Sequence, residues 1–334
     1  GADRLEILLA ESLAVATRTD AASKRHMARI TVDTTVQEKA VAHPNDARLM
    51  LRALETLVGL AKDNGVTLRQ SYKRTARWMA LKAGRLFHRG NAKAAKAALK
   101  WLRIRLGRVM RDVERKIGPE GRNDVRLQAL FADPLARAAT VRDQKTGDKD
   151  RLYAFHAPEV ECIAKGKARK RFEFGVKVSV ATTNARAPGG QFVVGTMTVP
   201  GRPYDGHTLA AQLEQTARIT GVDVERACVD RGYKGHDAPD KDKVFISGQN
   251  GIQSPTIKRE LKRRSAVEPV IGHMKDDGLL GRCFLKGPEG DAINAILAAV
   301  GHNLRLLARW LLLFLVWIRL NPQKEGRHLR LIPA

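Results

Sequence analysis

Three acidic residues, far apart along the chain, stand at positions where a carboxylate is suited to metal binding. Asp33 lies in a segment with the alternation of a strand, Asp230 ends a second apolar segment, and Glu268 lies in a later helical segment. Hard divalent cations take oxygen ligands, and two such ions held about 4 Å apart activate a water molecule and stabilise the leaving oxygen during phosphodiester cleavage. If folding brings the three side chains together, they predict metal-dependent phosphodiester chemistry.

Glu268 also has a purely structural interpretation. The sequence "SAVE" has the pattern of a helix capping box, with Ser265 as the N-cap and Glu268 three residues later. A capping role would use the same carboxylate that a metal would need, so the two roles compete. On a continuous helix, Arg264 and Lys275 fall within about 40° of Glu268. The pattern therefore also predicts two cations beside the acid on one helix face.

Few other residues carry a pattern associated with chemistry. Asp205 and His207 in "YDGHTL" are candidates for lining the same site, but Asp205 is equally suited to a turn or a helix N-cap. No Gly-rich phosphate loop, HExxH helix or GxSxG elbow occurs, so an ATPase, a zinc protease or an esterase is unsupported. The three cysteines have no CxxC spacing and predict neither a disulfide framework nor a zinc site.

The acids are embedded in segments that alternate between strand and helix patterns. Residues 28–37, "ARITVDTTVQ", alternate with period two, which predicts a strand whose apolar side faces away from Asp33. After a helical region, the next patterns are two antiparallel strands, a helix and two more strands, in the segments "FEFGVKVSVAT", "FVVGTMTV", "HTLAAQLEQTARITG", "VERACVDRGYKG" and "KVFIS". Helical patterns follow from about residue 260 to 277 and again from about 291.

The helical region after the first strand carries most of the excess positive charge. The chain has a formal net charge of +25, and residues 69–126 hold 18 Lys and Arg against four Asp and Glu. From Ala92 to Ile117 apolar residues recur every three or four positions, which predicts one long helix that stops at Gly118. A merely solvated helix face usually mixes both signs of charge. We therefore predict contacts with the phosphates of double-stranded DNA, through Lys96, Lys100, Arg103 and Arg111.

Neither end of the chain has the pattern of a membrane segment. The first 18 residues form an amphipathic helical pattern without the features of a signal peptide, and the missing initiator Met leads us to expect that the chain begins inside a longer protein. Leu311 to Ile318 is continuously apolar but much shorter than the roughly 20 residues a bilayer needs. We expect a buried core helix there, with a lipid or partner contact as the alternative.

The blocks around the acids together resemble those of bacterial DDE transposases of the insertion-sequence type, in the branch with a Tyr-Arg-Glu-Lys signature. The similar blocks are "VDTTVQEKAVAHPNDARL", "HAPEVECIAKGKARKRFEFGVKVSVATT", "VDRGYKGHD" and "ELKRRSAVEPVIGHMKDDGLLGR", and the resemblance spans nearly the whole chain. In the last block Arg264, Glu268 and Lys275 match the signature at its gaps. The tyrosine position falls on Leu261, so the role of that aromatic ring is not carried over.

This resemblance implies an α/β fold, with a ribonuclease-H-like mixed sheet flanked by helices and an all-α basic insertion after the first strand. The expected segments are an N-terminal helical segment (1–27), the first part of the catalytic core (28–46), the basic helical insertion (47–141), a connector (142–171), the second part of the core (172–290) and a C-terminal helical segment (291–334).

The resemblance also implies metal-dependent DNA strand cleavage and strand transfer of an insertion sequence. Asp33, Asp230 and Glu268 would bind Mg²⁺, for which Mn²⁺ can substitute, while Arg264 and Lys275 contact DNA phosphates. The expected partners are double-stranded transposon ends and target DNA and a second copy of the chain, with no membrane, in the cytoplasm at the nucleoid. The alternative is a non-catalytic double-stranded-DNA-binding protein derived from a transposase.

Overall fold

The computed structural model describes residues 1–164, 171–249, 251 and 254–320, and the chain divides into two compact units. The sheet unit comprises Gly1–Ala40 and the described residues from Ile163 onward, and the helical unit is Val41–Cys162. The helical unit is thus longer at both ends than the predicted insertion, 47–141, and it takes in most of the predicted connector.

Residues 142–162 of the predicted connector belong to the helical unit because this part folds back onto the helices. Arg151 donates a hydrogen bond to the Asp46 carboxylate at 2.8 Å, and the Leu152 N–H donates to the Gln144 side chain at 3.0 Å. Phe155 is buried in the apolar core of this unit. The polar and charged composition of the segment predicted a connector, and in residues 142–162 side-chain contacts with the helices hold it in place.

The described residues form one six-stranded mixed sheet. Its strands are β1 (Arg29–Glu38), β2 (Glu161–Ala164), β3 (Phe172–Thr183), β4 (Val193–Val199), β5 (Arg226–Val229) and β6 (Val244–Ile246). The order is β2-β3-β1-β5-β6, and β4 also pairs with β3. β3 is antiparallel to β1 and β4, whereas β5 is parallel to β1 and β6. The predicted mixed α/β architecture, with an antiparallel pair followed by further strands, is confirmed at this level.

Ten helices occur in the described residues. They are α1 (Ala2–Arg18), α2 (Lys24–Met27), α3 (Asp46–Asp63), α4 (Lys73–His88), α5 (Ala92–Ile117), α6 (Val125–Asp143), α7 (Leu209–Thr220), α8 (Pro255–Arg263), α9 (Val267–Asp276) and α10 (Gly287–Leu320). The long basic helix, α5, has the predicted bounds and ends at Gly118. Leu102, Leu106 and Val109 of its apolar stripe are buried in the core of the helical unit.

Both faces of strand β1 are covered. Ile30 and Val32 point to one face and Thr31 to the other, and all three side chains are fully buried. Helix α9 packs against β1, while α7 and α10 pack against β4. The period-two pattern located strand β1 correctly. The polar side of the strand, however, does not face water, because helices cover the sheet on both faces.

The helical segment that carries Glu268 excludes the predicted capping box. The chain is helical from Pro255 to Asp276, with a short 3-10 turn at Arg264–Ala266 between α8 and α9. Ser265 lies within that turn, and its hydroxyl donates to the Lys262 carbonyl at 3.5 Å. A capping residue needs a non-helical backbone at the start of a helix, and no such position occurs here. The capping interpretation of Glu268 is therefore wrong.

The end of α10 is exposed, and the prediction of a buried core helix there is also wrong. The side chains from Leu311 to Trp317 are 43–61% exposed. The earlier part of α10 packs against α1 and β4, and the Trp310 indole donates to the Thr19 carbonyl at 2.9 Å. An apolar run predicts burial only where a neighbouring element reaches it. Residues 321–334 of the predicted terminal segment lie outside the described residues.

In the described ranges, no helix combines the length and the apolar character that spanning a membrane requires.

Candidate functional site

Asp33 and Asp230 occupy neighbouring positions at the paired strands β1 and β5. Thr31 pairs with Cys228 in parallel register, and each aspartate lies two residues further along its strand. Because neighbouring strands lie about 4.8 Å apart, continuing this register places the two residues side by side. Asp230 directly follows Val229, the last residue of β5, and so lies at the carboxyl end of the strand, where ligands commonly bind in α/β sheets.

The Asp33 carboxylate is only partly accessible and is paired with a cation. One oxygen accepts the Thr34 N–H at 2.8 Å, and the other lies 3.6 Å from a guanidinium nitrogen of Arg264. The exposed fractions of the two side chains are 19% and 18%. Arg264, predicted to contact DNA phosphates, therefore neutralises Asp33 in this state of the molecule.

Asp230 is fixed by the turn that follows it. Its carboxylate accepts the Gly232 N–H at 2.7 Å and caps a 3-10 turn at Arg231–Tyr233. A Cβ atom at Gly232 would lie 2.9 Å from an oxygen of Asp230 and 3.5 Å from an oxygen of Asp205. The glycine in "DRGY" thus leaves room for two carboxylates that face the same space.

Asp205 is the second acid at that space, and it is anchored by two polar side chains. One oxygen accepts a hydrogen bond from the Lys177 ammonium at 2.7 Å and from the Thr34 hydroxyl at 3.1 Å. Asp205 also begins a short 3-10 turn, so its two predicted roles, in a turn and at the site, coexist. His207, in contrast, is exposed and packs edge-on against Tyr204.

Sequence reasoning missed Lys177. The residue lies on β3 directly opposite Val36 of β1, and besides Asp205 it donates to the Pro203 carbonyl at 2.6 Å. No motif marks it. The available signal was a lysine between Val176 and Val178 in a strand pattern, where a charged side chain needs a partner if it is buried.

Tyr233 lies beneath these acids and is fully buried. Burial, followed by the negative charges of Asp33, Asp205 and Asp230, raises the pKa of Tyr233 well above that of a free phenol. The three aspartates therefore all act on one phenol group, which stays protonated because ionising it would add a further negative charge beside them.

Glu268 is not brought into contact with the aspartates. It is exposed in the first turn of α9, whose buried face is formed by Val267, Val270 and Ile271. Across residues 1–164, 171–249 and 254–320, no three Asp, Glu, His or Cys side chains converge in a group able to hold a metal ion. Asp33 and Asp230 thus belong to the neighbouring strands β1 and β5, oxygens of Asp205 and Asp230 face the space beside Gly232, and Glu268 is exposed on α9.

The predicted DNA-contact residues occupy two kinds of surroundings. Lys275 is half-buried in the last turn of α9. Lys96, Lys100, Arg103 and Arg111 are all exposed on α5. Their exposure agrees with the predicted basic face, and contact with DNA stays a prediction.

Comparisons with known proteins give one partial relative. No family model matches the chain, and no solved structure matches it. A stretch of 88 residues is 49% identical to a Rhizobium meliloti protein described as "Uncharacterized protein ORF8 in nfe locus". This stretch covers 26% of the chain and 42% of that protein. The chain therefore spans less than half the length of this relative, whose description names no activity.

Proposed function

We propose that this chain is a DDE transposase of the insertion-sequence type, which cleaves DNA strands and transfers them in a divalent-metal-dependent reaction. The observation that carries the proposal is the parallel pairing of β1 and β5, whose register, continued by two residues from Thr31 and Cys228, brings Asp33 beside Asp230. These residues are about 200 positions apart in the sequence. The two aspartate blocks that suggested the family thus meet in the fold at one place.

The strand arrangement supports a ribonuclease-H-like core for this activity. Strands β4, β3 and β1 form an antiparallel set, and β5 and β6 extend it in parallel on the other side of β1. The family resemblance implies a mixed sheet flanked by helices. Asp33 on β1 and Asp230 directly after β5 belong to paired strands of such a mixed sheet, which supports the proposal.

The donor atoms at the site suit Mg²⁺. This ion prefers oxygen ligands, keeps several waters, and is commonly held by one or two carboxylates together with substrate phosphates. Asp33 and Asp230 supply the two carboxylates, and we propose that Glu268 joins them once DNA is bound. When bound, the metal would activate a water or hydroxyl and stabilise the leaving oxygen.

The chain's own cations would position DNA. Arg264 is four residues before Glu268 and already lies at Asp33, so a phosphate placed near the two aspartates is within its reach. We propose that Arg264 exchanges Asp33 for a DNA phosphate when the metal binds. Lys275 in the sheet unit and the basic face of α5 in the helical unit would each contact DNA phosphates without reading bases.

Nicking of a supercoiled plasmid tests the catalytic assignment. Asp230→Asn should lower Mg²⁺-dependent nicking by about a hundredfold or more, because one metal ligand is lost. Asp223→Asn, at an exposed aspartate in the same unit, is the matched control and should keep full activity. Equal nicking by both variants would refute the assignment of Asp230.

A second function, non-catalytic binding of double-stranded DNA, has one observation in its favour. Glu268 is exposed, and in the described residues no three acidic, His or Cys side chains converge in a group able to hold a metal ion. This alternative predicts salt-sensitive binding to duplex DNA with no nicking at any Mg²⁺ or Mn²⁺ concentration, and with the same affinity after Asp230→Asn.

We also propose that the chain works as a homodimer on DNA at the nucleoid, because strand transfer has to join two element ends. Sedimentation of the chain with a short duplex should then show two protein copies per complex. One copy per complex at saturating DNA would contradict this proposal.

A further inference from the structure

We propose that the helical unit contains a phosphate-binding pocket formed by the arginines at positions 69, 108, 111 and 115. These side chains line a cavity of about 280 Å³ together with Gln70, Tyr72 and Asp112. The pocket uses no residue of the acidic site, so its test is independent of the cleavage test. Of the four arginines, only Arg111 belongs to the basic face predicted from the sequence.

The pocket is assembled from two separate segments. Arg108, Arg111 and Arg115 lie on α5 at spacings of three and four residues, which puts them on one side of the helix. Arg69 comes from the segment between α3 and α4. Local spacing therefore accounts for three of the arginines, and tertiary packing adds the fourth.

Asp112 holds the two segments together. It is 8% exposed, and one of its oxygens accepts the backbone N–H of Arg69 at 2.7 Å. The other oxygen is paired with the Arg115 guanidinium. Because the carboxylate is occupied by these groups, it fixes the geometry of the pocket without neutralising the remaining arginines.

Three guanidinium groups in the pocket lack an acidic partner. In the described part of the chain, no carboxylate lies within ion-pair distance of the side chains of Arg69, Arg108 or Arg111. Like charges gathered around one cavity repel each other unless an anion is bound between them. Guanidinium groups also match phosphate geometry through paired N–H donors, and the three groups without an acidic partner leave theirs available.

One wall of the pocket is an aromatic residue held in an unusual backbone conformation. Tyr72 has a φ of 51°, a left-handed conformation that costs a non-glycine residue free energy and persists only where its surroundings fix it. Arg105 lies over the Tyr72 ring at 5.7 Å and over the Trp101 ring at 4.7 Å. An aromatic wall beside clustered guanidiniums fits the sugar and phosphate of a nucleic acid better than a bare inorganic ion.

The test compares two double variants of the full chain that remove the same charge from the same unit. Arg108→Gln with Arg111→Gln alters the pocket, and Arg48→Gln with Lys62→Gln, at exposed positions of α3 outside the cavity lining, is the matched control. The first measurement is the phosphorus NMR signal of pyrophosphate added to each protein. The second is the affinity for a short duplex as a function of salt, with and without pyrophosphate as competitor.

We expect the unaltered chain and the control variant to shift or broaden the pyrophosphate signal, and the pocket variant to lose this effect. Duplex affinity should fall about tenfold for each lost charge-assisted pair, and pyrophosphate should compete with the duplex. If pyrophosphate binding is lost but duplex affinity matches the control, the natural ligand is a free phosphate compound. Arg69→Gln, which alters the pocket from the segment between α3 and α4, should also weaken pyrophosphate binding.

Two outcomes would overturn the pocket. One is a pyrophosphate signal that the unaltered chain leaves unchanged. The other is an equal loss of binding in the pocket variant and the control variant, which would indicate a diffuse basic surface. Thermal unfolding of each variant, followed by circular dichroism, separates loss of the pocket from loss of the fold.

Discussion

The sheet unit and the basic surface of the helical unit use charged residues in different ways. In the sheet unit the charged groups near the sheet are partly or fully buried and paired, as in the contacts between Arg264 and Asp33 and between Lys177 and Asp205. In the helical unit the exposed cations Arg108 and Arg111 have no acidic partner among the described residues. Paired charges fix geometry, whereas unpaired exposed cations attract a polyanion over a distance.

The contrast suits the two surfaces to different parts of the proposed activity. Positioned carboxylates are needed wherever a metal is held, because a misplaced ligand does not coordinate. Phosphate attraction tolerates looser placement, since each cation contributes mainly through its charge. A sheet supports the first task and a set of helices with one basic face supports the second.

The largest expected effect tests buried pairing in the sheet unit. Lys39 and Asp291 form an ion pair at 2.9 Å with side chains only 5% and 6% exposed. Lys39→Met should lower the free energy of unfolding by about 3–5 kcal/mol, because a buried carboxylate loses its partner. Urea unfolding measures this change.

The matched control for Lys39 lies in the helical unit. Arg77 pairs with Glu55 at 2.6 Å, but the arginine side chain is 60% exposed. Arg77→Met should cost at most about 1 kcal/mol, since exposed pairs contribute little. Similar losses for the two variants would show that the contrast between buried and exposed pairs does not hold.

A second prediction concerns thiols buried in the sheet unit. Burial raises the pKa of Cys228 to about 12 and that of Cys283 to about 11. Because only the thiolate reacts, both residues should be alkylated about a hundredfold more slowly at pH 8 than in the urea-unfolded chain. Cys162, which is half-buried, should be labelled first. Mass spectrometry of iodoacetamide-treated protein checks the order, and early labelling of Cys228 would contradict it.

The smallest expected effect concerns Arg264. Arg264→Gln should strengthen Mn²⁺ binding without DNA about fivefold, because the ion no longer competes with a partly exposed ion pair at Asp33. The same variant should bind duplex DNA more weakly. Isothermal titration with Mn²⁺ measures the first effect. Weaker Mn²⁺ binding in Arg264→Gln would show that the arginine does not compete for Asp33, and Asp33→Asn serves as the non-binding control.

Local patterns predicted much of the fold. The strand around Asp33, the two antiparallel strands after the insertion and the bounds of α5 all follow from periodicity, which neighbouring residues set among themselves. The predicted capping box at Ser265 was wrong. The pattern "SAVE" is compatible with the start of a helix, but α8 continues through a 3-10 turn into α9, without the non-helical residue that a cap requires.

The candidate site was predicted in part. Asp33 and Asp230 were identified from the sequence, and they belong to paired strands. Asp205 was also named as a candidate, but its ion-pair partner Lys177 was not. Lys177 was missed because its importance comes from a contact with Asp205, 28 residues away in sequence. The exposure of the apolar end of α10 was likewise not predictable from composition, since burial depends on which neighbouring element reaches a residue.

By itself, the sequence determined the segments: where strands and helices form, where basic charge concentrates, and which acids end a strand. Those properties depend on the order and spacing of residues within a few helical turns or one strand. Tertiary structure alone decided that Arg264 pairs with Asp33, that Asp205 faces Asp230 across Gly232, that Glu268 stands apart, and that Arg69 joins the arginines of α5. Each of these contacts joins residues from different elements, and the register and packing that bring them together are set by the whole core at once.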